Sequence, residues 1–201
     1  DSDKKKEESG NDKMPEPSEE GLEMAWDAEE LAKRAKKQGW KKKKLEEMKL
    51  ASRDAAAHAR FRQAERIYSE FKAVEFEWPM SVLQERLASK AEWLAAAETM
   101  YFQINSMKSP KWASAAVYRI GDMYQRFANR VDELPIPDDL KKKLSERQLM
   151  QYNMTLDRRI VVLEEKALKG FQRALNVALE LEAYNEWSRK SAEAIANLDS
   201  Q

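Results

Sequence analysis

The chain has 201 residues, 36% of them charged and 42% hydrophobic, with Lys+Arg and Asp+Glu balanced at 36 each. Five glycines and six prolines supply too few turns for a β-sandwich or barrel, which needs a turn signal about every 8–12 residues. The even charge gives no basic excess of the kind nucleic-acid proteins carry, the absence of cysteine removes disulfides and thiolate chemistry, and no apolar run nears the roughly 20 residues of a membrane span.

Residues 1–18 are polar, charged and broken by proline, with Met14 their one large apolar side chain. They cannot bury enough surface to offset chain entropy, so a disordered acidic and polar tail is expected, with an all-helical domain over 19–201. The opening Asp1-Ser2-Asp3 carries no methionine, which predicts a processed protein from which a signal peptide or anchor is gone. A first helix is predicted from Ser18, where Glu19 and Glu20 suit the positive end of the dipole, to a stop at Gly39. Residues 40–76 read as a second helix, with a stripe from Leu45 through Phe61, Ala64 and Tyr68 to Phe71 that ends at Trp78-Pro79. Residues 80–108 form the next, with Leu83, Leu87, Ala91, Leu94, Ala97, Tyr101 and Ile104 on one face. Ser109-Pro110 separates it from a helix over 111–133, and Leu134-Pro135-Ile136-Pro137 is a rigid break. From Asp138 to Glu182 neither proline nor a strong stop intervenes, so one helix of roughly 65 Å is predicted at about 1.5 Å per residue. A terminal helix follows over 185–198. The fold class is all-α.

Three of these helices repeat a small–aromatic–small spacing: Ala57, Phe61 and Ala64; Ala97, Tyr101 and Ile104; Ala167, Phe171 and Ala174. Small residues let two helix backbones approach, and the aromatic fills the space beside the crossing, which is the requirement behind the tetratricopeptide pattern. The steps are 40 and 70 residues, the second near twice the repeat's 34. The partner signature for the first helix of a pair stands at Ala116 to Tyr124, with Gly121 inside it and Pro110 ahead. A glycine there costs about 1 kcal/mol against alanine, so a close helix crossing is expected at Gly121. These matches predict degenerate tetratricopeptide-like helix pairs in a short solenoid or bundle, clearest over 79–201. Tyr101, Gly121, Ala167, Phe171, Ala174 and Trp187 are the expected packing residues.

The text from Trp112 onward resembles the C-terminal module of tetratricopeptide proteins of myxobacteria and their relatives, among them periplasmic components of the Glt/Agl gliding-motility machinery. The Pro135-x-Pro137 break, the Leu163-Glu164-Glu165-Lys166-Ala167 run and the Tyr184-Asn185-Glu186-Trp187 turn carry the likeness. Val161-Val162 stands where such modules often have a proline, which favours an unbroken long helix. The resemblance implies a scaffold in a large envelope complex, periplasmic or envelope-associated, without catalytic activity. Its partners would be other proteins, a second copy included. A cytoplasmic peptide-binding adaptor or co-chaperone of the same fold is the alternative.

The residue inventory offers little chemistry. His58 is the sole histidine and has no metal-ligating or catalytic companion in sequence, so a structural or solvent-facing role is expected. Glu75, Glu77, Glu164 and Glu165 read as solvated helix faces, because di-metal bundles need Glu-x-x-His pairs. No glycine-rich phosphate loop exists, and no catalytic residue, cofactor or metal is expected. Lys41-Lys42-Lys43-Lys44 reads as a solubilising helix start, answered by eight acids in residues 1–21. In a solenoid of helix pairs the first helix of each pair lines the concave face, which puts Tyr118, Asp122 and Gln125 forward as partner contacts. Trp26 and Trp40, outside the repeat pattern, are further candidates, whereas Trp112 and Trp187 belong to the core.

Overall fold

The computed structural model describes Glu30, Lys33, Lys36, Lys37, Gly39 and residues 41–200. The expected tail, Trp26, Trp40 and most of the first predicted helix lie outside the described residues. The chain is all-α: no strand occurs among the described residues. Glu30, Lys33, Lys36 and Lys37 are helical, and Gly39 stops that helix at a φ of +67°, a conformation open to glycine but not to most residues. Six helices follow: α1 Lys42–Ala73, α2 Met80–Ser106, α3 Pro110–Asp132, α4 Asp138–Lys143, α5 Glu146–Glu180 and α6 Glu186–Asp199.

α3 is the axis of the molecule, packing against α1, α2, α5 and α6. Its sequence explains the position. Ala113, Ser114, Ala115 and Ala116 are all fully buried, and four consecutive small residues leave room for neighbours on every side. Proline at its first turn forfeits only an amide that has no helical partner. α1 and α2 run antiparallel, tied by Ser109 Oγ donating to Asp54 Oδ1 at 2.6 Å, Arg60 Nη2 to Gln103 Oε1 at 2.6 Å and Lys90 Nζ to the Phe71 carbonyl at 2.9 Å. α1 and α3 run parallel, with Tyr68 on Asp122 and Glu65 on Arg119, both pairs 54 residues apart. α5 returns antiparallel to α3: Ala113 and Val117 cluster with Ala174 and Val177, and Lys166 Nζ sits 5.0 Å over the Tyr124 ring.

All nine members of the three small–aromatic–small triplets are buried, none above 5% exposed. Their spacing, however, does not count repeats. The first two triplets face each other across the consecutive helices α1 and α2, with Phe61 5.8 Å from Tyr101, so the step of 40 joins two arms of one hairpin. The step of 70 runs from α2 to α5 and contains α3, α4 and the forward half of α5, one long helix pair with an insertion in place of two periods. Gly121 makes the expected crossing, and its counterpart is a second glycine: a Cβ on Gly170 would stand 2.7 Å from Gly121 Cα.

Two boundaries differ from expectation, each for a local reason. α1 ends at Ala73, ahead of Trp78-Pro79, because the Lys90 ammonium takes the Phe71 and Val74 carbonyls at 2.9 and 3.0 Å and satisfies the end of the helix. Lys90, 2% exposed, thereby occupies the buried position on α2 that the apolar stripe assigned to the exposed Ala91. The long helix begins at Glu146 and not at Asp138. Leu144 turns extended, and Ser145 and Gln148 form a capping box in which the Gln148 amide donates to Ser145 Oγ at 3.3 Å and the Ser145 amide to Gln148 Oε1 at 2.9 Å. Past that start α5 is continuous, through Asn153-Met154-Thr155 included.

Candidate interaction surface

The seam where α1, α2 and α3 meet is polar and internally saturated. Tyr68 Oη donates to Asp122, which also receives Arg126 Nε at 3.0 Å and lies 3.7 Å from Arg119 Nη1. Arg119 in turn grips Glu65 with two bonds of 2.9 Å, and Tyr101 Oη donates to the same carboxylate at 2.7 Å. Burial, and next the facing Asp122, raises the Tyr68 hydroxyl pKa above the ordinary phenol range. Burial and the adjoining Glu65 do the same for Tyr101. Both phenols therefore act as fixed donors. The Arg119 guanidinium lies 4.5 Å over the Tyr68 ring and 5.2 Å over Trp187, closing the seam toward α6.

This geometry changes the reading of the three residues put forward as partner contacts. Asp122 is 8% exposed and its carboxylate is engaged on three sides, so it is a structural anion and not a free recognition group. Tyr118 is partly buried, its ring 5.5 Å from both Phe171 and Trp187, which leaves it mostly a packing residue. Burial also raises its hydroxyl pKa. Gln125, about two turns beyond Tyr118, is partly exposed. His58 stacks on Trp112, ring centroids 4.3 Å apart and nearly parallel, at the exposed edge of α1. Glu75 pairs with Arg130, and Glu165 stands 4.0 Å from Lys169. Among the described residues no group of three or more His, Asp or Glu is arranged to hold a metal ion. Lys41, Lys42, Lys43 and Lys44 are exposed at the start of α1.

The surface that stands out is on α5. Extending its register against α3 brings the end of α3, Asp132, opposite Arg158. The first three turns of α5 therefore overhang by roughly 18 Å at about 1.5 Å per residue. The forward half of α5, from this overhang to Leu163, has two apolar faces. Leu149, Tyr152, Leu156, Ile160 and Leu163 are partly buried on one, the last three packed on the main core. On the opposite face Met150 is 65% exposed, Met154 46% and Val161 50%, with Val162 beside them at 53%. A surface helix ordinarily turns one apolar stripe to the core, so this second exposed stripe is the feature that sets α5 apart. None of the residues put forward as partner contacts lies on this face, although Met150, Met154 and Val161 stand at helical spacings of four and seven in the sequence.

Among the described residues no helix is long and apolar enough to cross a membrane. Compared with family models, curated proteins and solved structures, the chain matches none.

Proposed function

We propose that this chain is a non-catalytic scaffold that holds other proteins through its helical surface. From the resemblance of its C-terminal part, we further propose that it works as a periplasmic component of a bacterial envelope machine such as the gliding-motility complex. The observation that carries the scaffold reading is the uncovered second apolar face of α5, Met150, Met154 and Val161, on a helix whose other face already serves the core. Exposed apolar side chains grouped on one rigid element mark contact with another macromolecule. The seam supports the same reading, since Tyr68, Tyr101, Glu65, Arg119 and Asp122 are bound to one another and serve the packing of α1, α2 and α3.

Co-purification from the native organism tests this, using the wild-type chain and Met154→Glu as baits. A set of proteins retained by the wild type and lost with Met154→Glu is expected; the same set on both baits would remove α5 as the docking face. Fractionation of the native organism tests the compartment: recovery in the periplasmic fraction is expected, and recovery in the cytoplasm would move the protein to the peptide-adaptor class.

A further inference from the structure

We propose that the outer face of the α5 overhang binds an amphipathic helix of acidic character in its protein partner, an inference that rests on the scaffold reading above. The face has a definite chemical order. Arg147, Met150, Met154, Arg158 and Val161 follow one another at steps of three, four, four and three along one line of the helix, and all five are exposed. Neither Arg147 nor Arg158 has an ion pair or hydrogen bond among the described residues. The two guanidinium groups stand eleven residues apart, about 16 Å along the axis, and bracket the two methionines. The acids of the same stretch, Glu146, Asp157 and Glu164, fall together on one flank and not on the line itself.

A straight helix with knobs at these steps presents ridges that the grooves of a second helix fit, and its backbone, already bonded within itself, offers no edge for a strand. The methionines suit such a contact, because their unbranched, polarisable side chains adapt to the partner's shape. The partner helix then needs apolar residues over Met150, Met154 and Val161. It also needs a carboxylate near each end of that stretch, where Arg147 and Arg158 would bind it in paired, charge-assisted bonds.

Two other occupants fit less well. A second copy, laid antiparallel so that Met150 meets Met154, would set Arg147 beside the other copy's Arg158 and Glu146 beside its Asp157, like against like. An anionic membrane would attract the arginines but meet Asp157 and Glu146 on the flank and Glu165 one turn further along the line.

The test uses the whole chain and two synthetic helical peptides of about 18 residues, five turns. Both carry the same leucine–alanine face. One has glutamates at positions eleven apart that flank it, the other lysines there. Fluorescence anisotropy measures binding, and circular dichroism checks that each variant keeps its helix content, which substitutions at exposed positions should leave intact. The glutamate peptide is expected to bind at least about tenfold tighter than the lysine peptide, a difference of about 1.4 kcal/mol. The double variant Arg147→Glu/Arg158→Glu should invert that preference, and Met154→Glu should abolish binding of both. Equal binding of the two peptides, no binding of either, or binding to phosphatidylglycerol vesicles that the double variant abolishes would overturn the proposal. If native proteins still co-purify in a Met154-dependent way while the peptides show no charge preference, the partner chemistry is wrong and the scaffold reading stands. If co-purification ignores Met154, the docking face itself is wrong.

Discussion

Gly170 faces Gly121 across the α3–α5 crossing so closely that a Cβ on Gly170 would stand 2.7 Å from the Gly121 Cα and 2.9 Å from its amide nitrogen. In the reverse direction a Cβ on Gly121 would meet the Phe171 ring at 2.8 Å and the Ala167 carbonyl oxygen at 3.0 Å. Each glycine thus makes room for the other helix. The asymmetry is one of degree: the nearest obstacle to a Cβ on Gly121 is a ring that can turn aside, with a backbone oxygen next at 3.0 Å, whereas the two nearest to a Cβ on Gly170 are backbone atoms at 2.7 and 2.9 Å.

At both positions alanine reverses its usual sign. Within an exposed helix Gly→Ala gains about 1 kcal/mol. Here the overpacking of about 1–3 kcal/mol exceeds that gain, and Gly170→Ala is expected to destabilise more than Gly121→Ala. Thermal unfolding of the two variants decides it, since each kcal/mol moves Tm by about 2–4 °C in a chain of this length. A Gly170→Ala protein that melts at or above the wild-type temperature would show that the helices do not cross at this pair.

Lys90 gives the fold an alkaline signature. Burial, and next the charge of Arg126, lowers its pKa from 10.5 to about 8. Between those values the unfolded chain holds the proton more tightly than the folded one, so stability should rise as pH climbs from about 8 toward 10. Tyr68, Tyr101 and Tyr124 act oppositely, since burial raises their pKa above the ordinary 10 and stability falls once unfolded tyrosines begin to ionise. Urea midpoints measured across this range should therefore pass through a maximum between about pH 9 and 10. In Lys90→Met the rise below pH 10 should vanish, while the fall above it remains. A Lys90→Met curve that still climbs from pH 8 would assign the effect to another group.

The Tyr68–Asp122 bond predicts unequal single substitutions. Tyr68→Phe removes one donor and leaves Asp122 with Arg126 and Arg119, so a loss of about 1 kcal/mol is expected. Asp122→Ala leaves the Tyr68 hydroxyl without its acceptor and Arg126 without its carboxylate, and should lose about 2–3 kcal/mol. The double variant should cost less than the two together, because the residues share one network. Chemical denaturation of all three measures this, and strict additivity would mean that the two groups do not interact.

The Ser145 cap should matter locally and hardly at all globally. Ser145→Ala removes a capping box worth about 1 kcal/mol from a helix end that overhangs the core. Hydrogen exchange should quicken over the first turns of α5 and leave the 167–178 stretch protected, with Tm nearly unchanged. In the wild type, protection should run unbroken through Asn153-Met154-Thr155. Rapid exchange centred there would split α5 in two and dissolve the proposed docking face.

The helical class, the proline-marked boundaries and the burial of the small–aromatic–small triplets all follow from local pattern. A helix of given periodicity has its apolar face fixed before it meets anything, and a proline past the first turn ends it. Gly121 was legible for a related reason: a glycine inside a strong helix has a cost that only close packing offsets. The Ser145 cap was legible too, as Ser-x-x-Gln, but the apolar stripe running past it drew the helix start back to Asp138. What the pattern could not supply was the identity of neighbours. Whether Lys90 is buried depends on two carbonyls 16 and 19 residues away, and whether Asp122 is free depends on a tyrosine 54 residues before it. Periodicity reports which residues a helix turns inward. Which helix meets them, and which polar groups find partners there, is set by long-range packing alone, and it is that packing which bound the seam to itself and left the outer face of α5 uncovered.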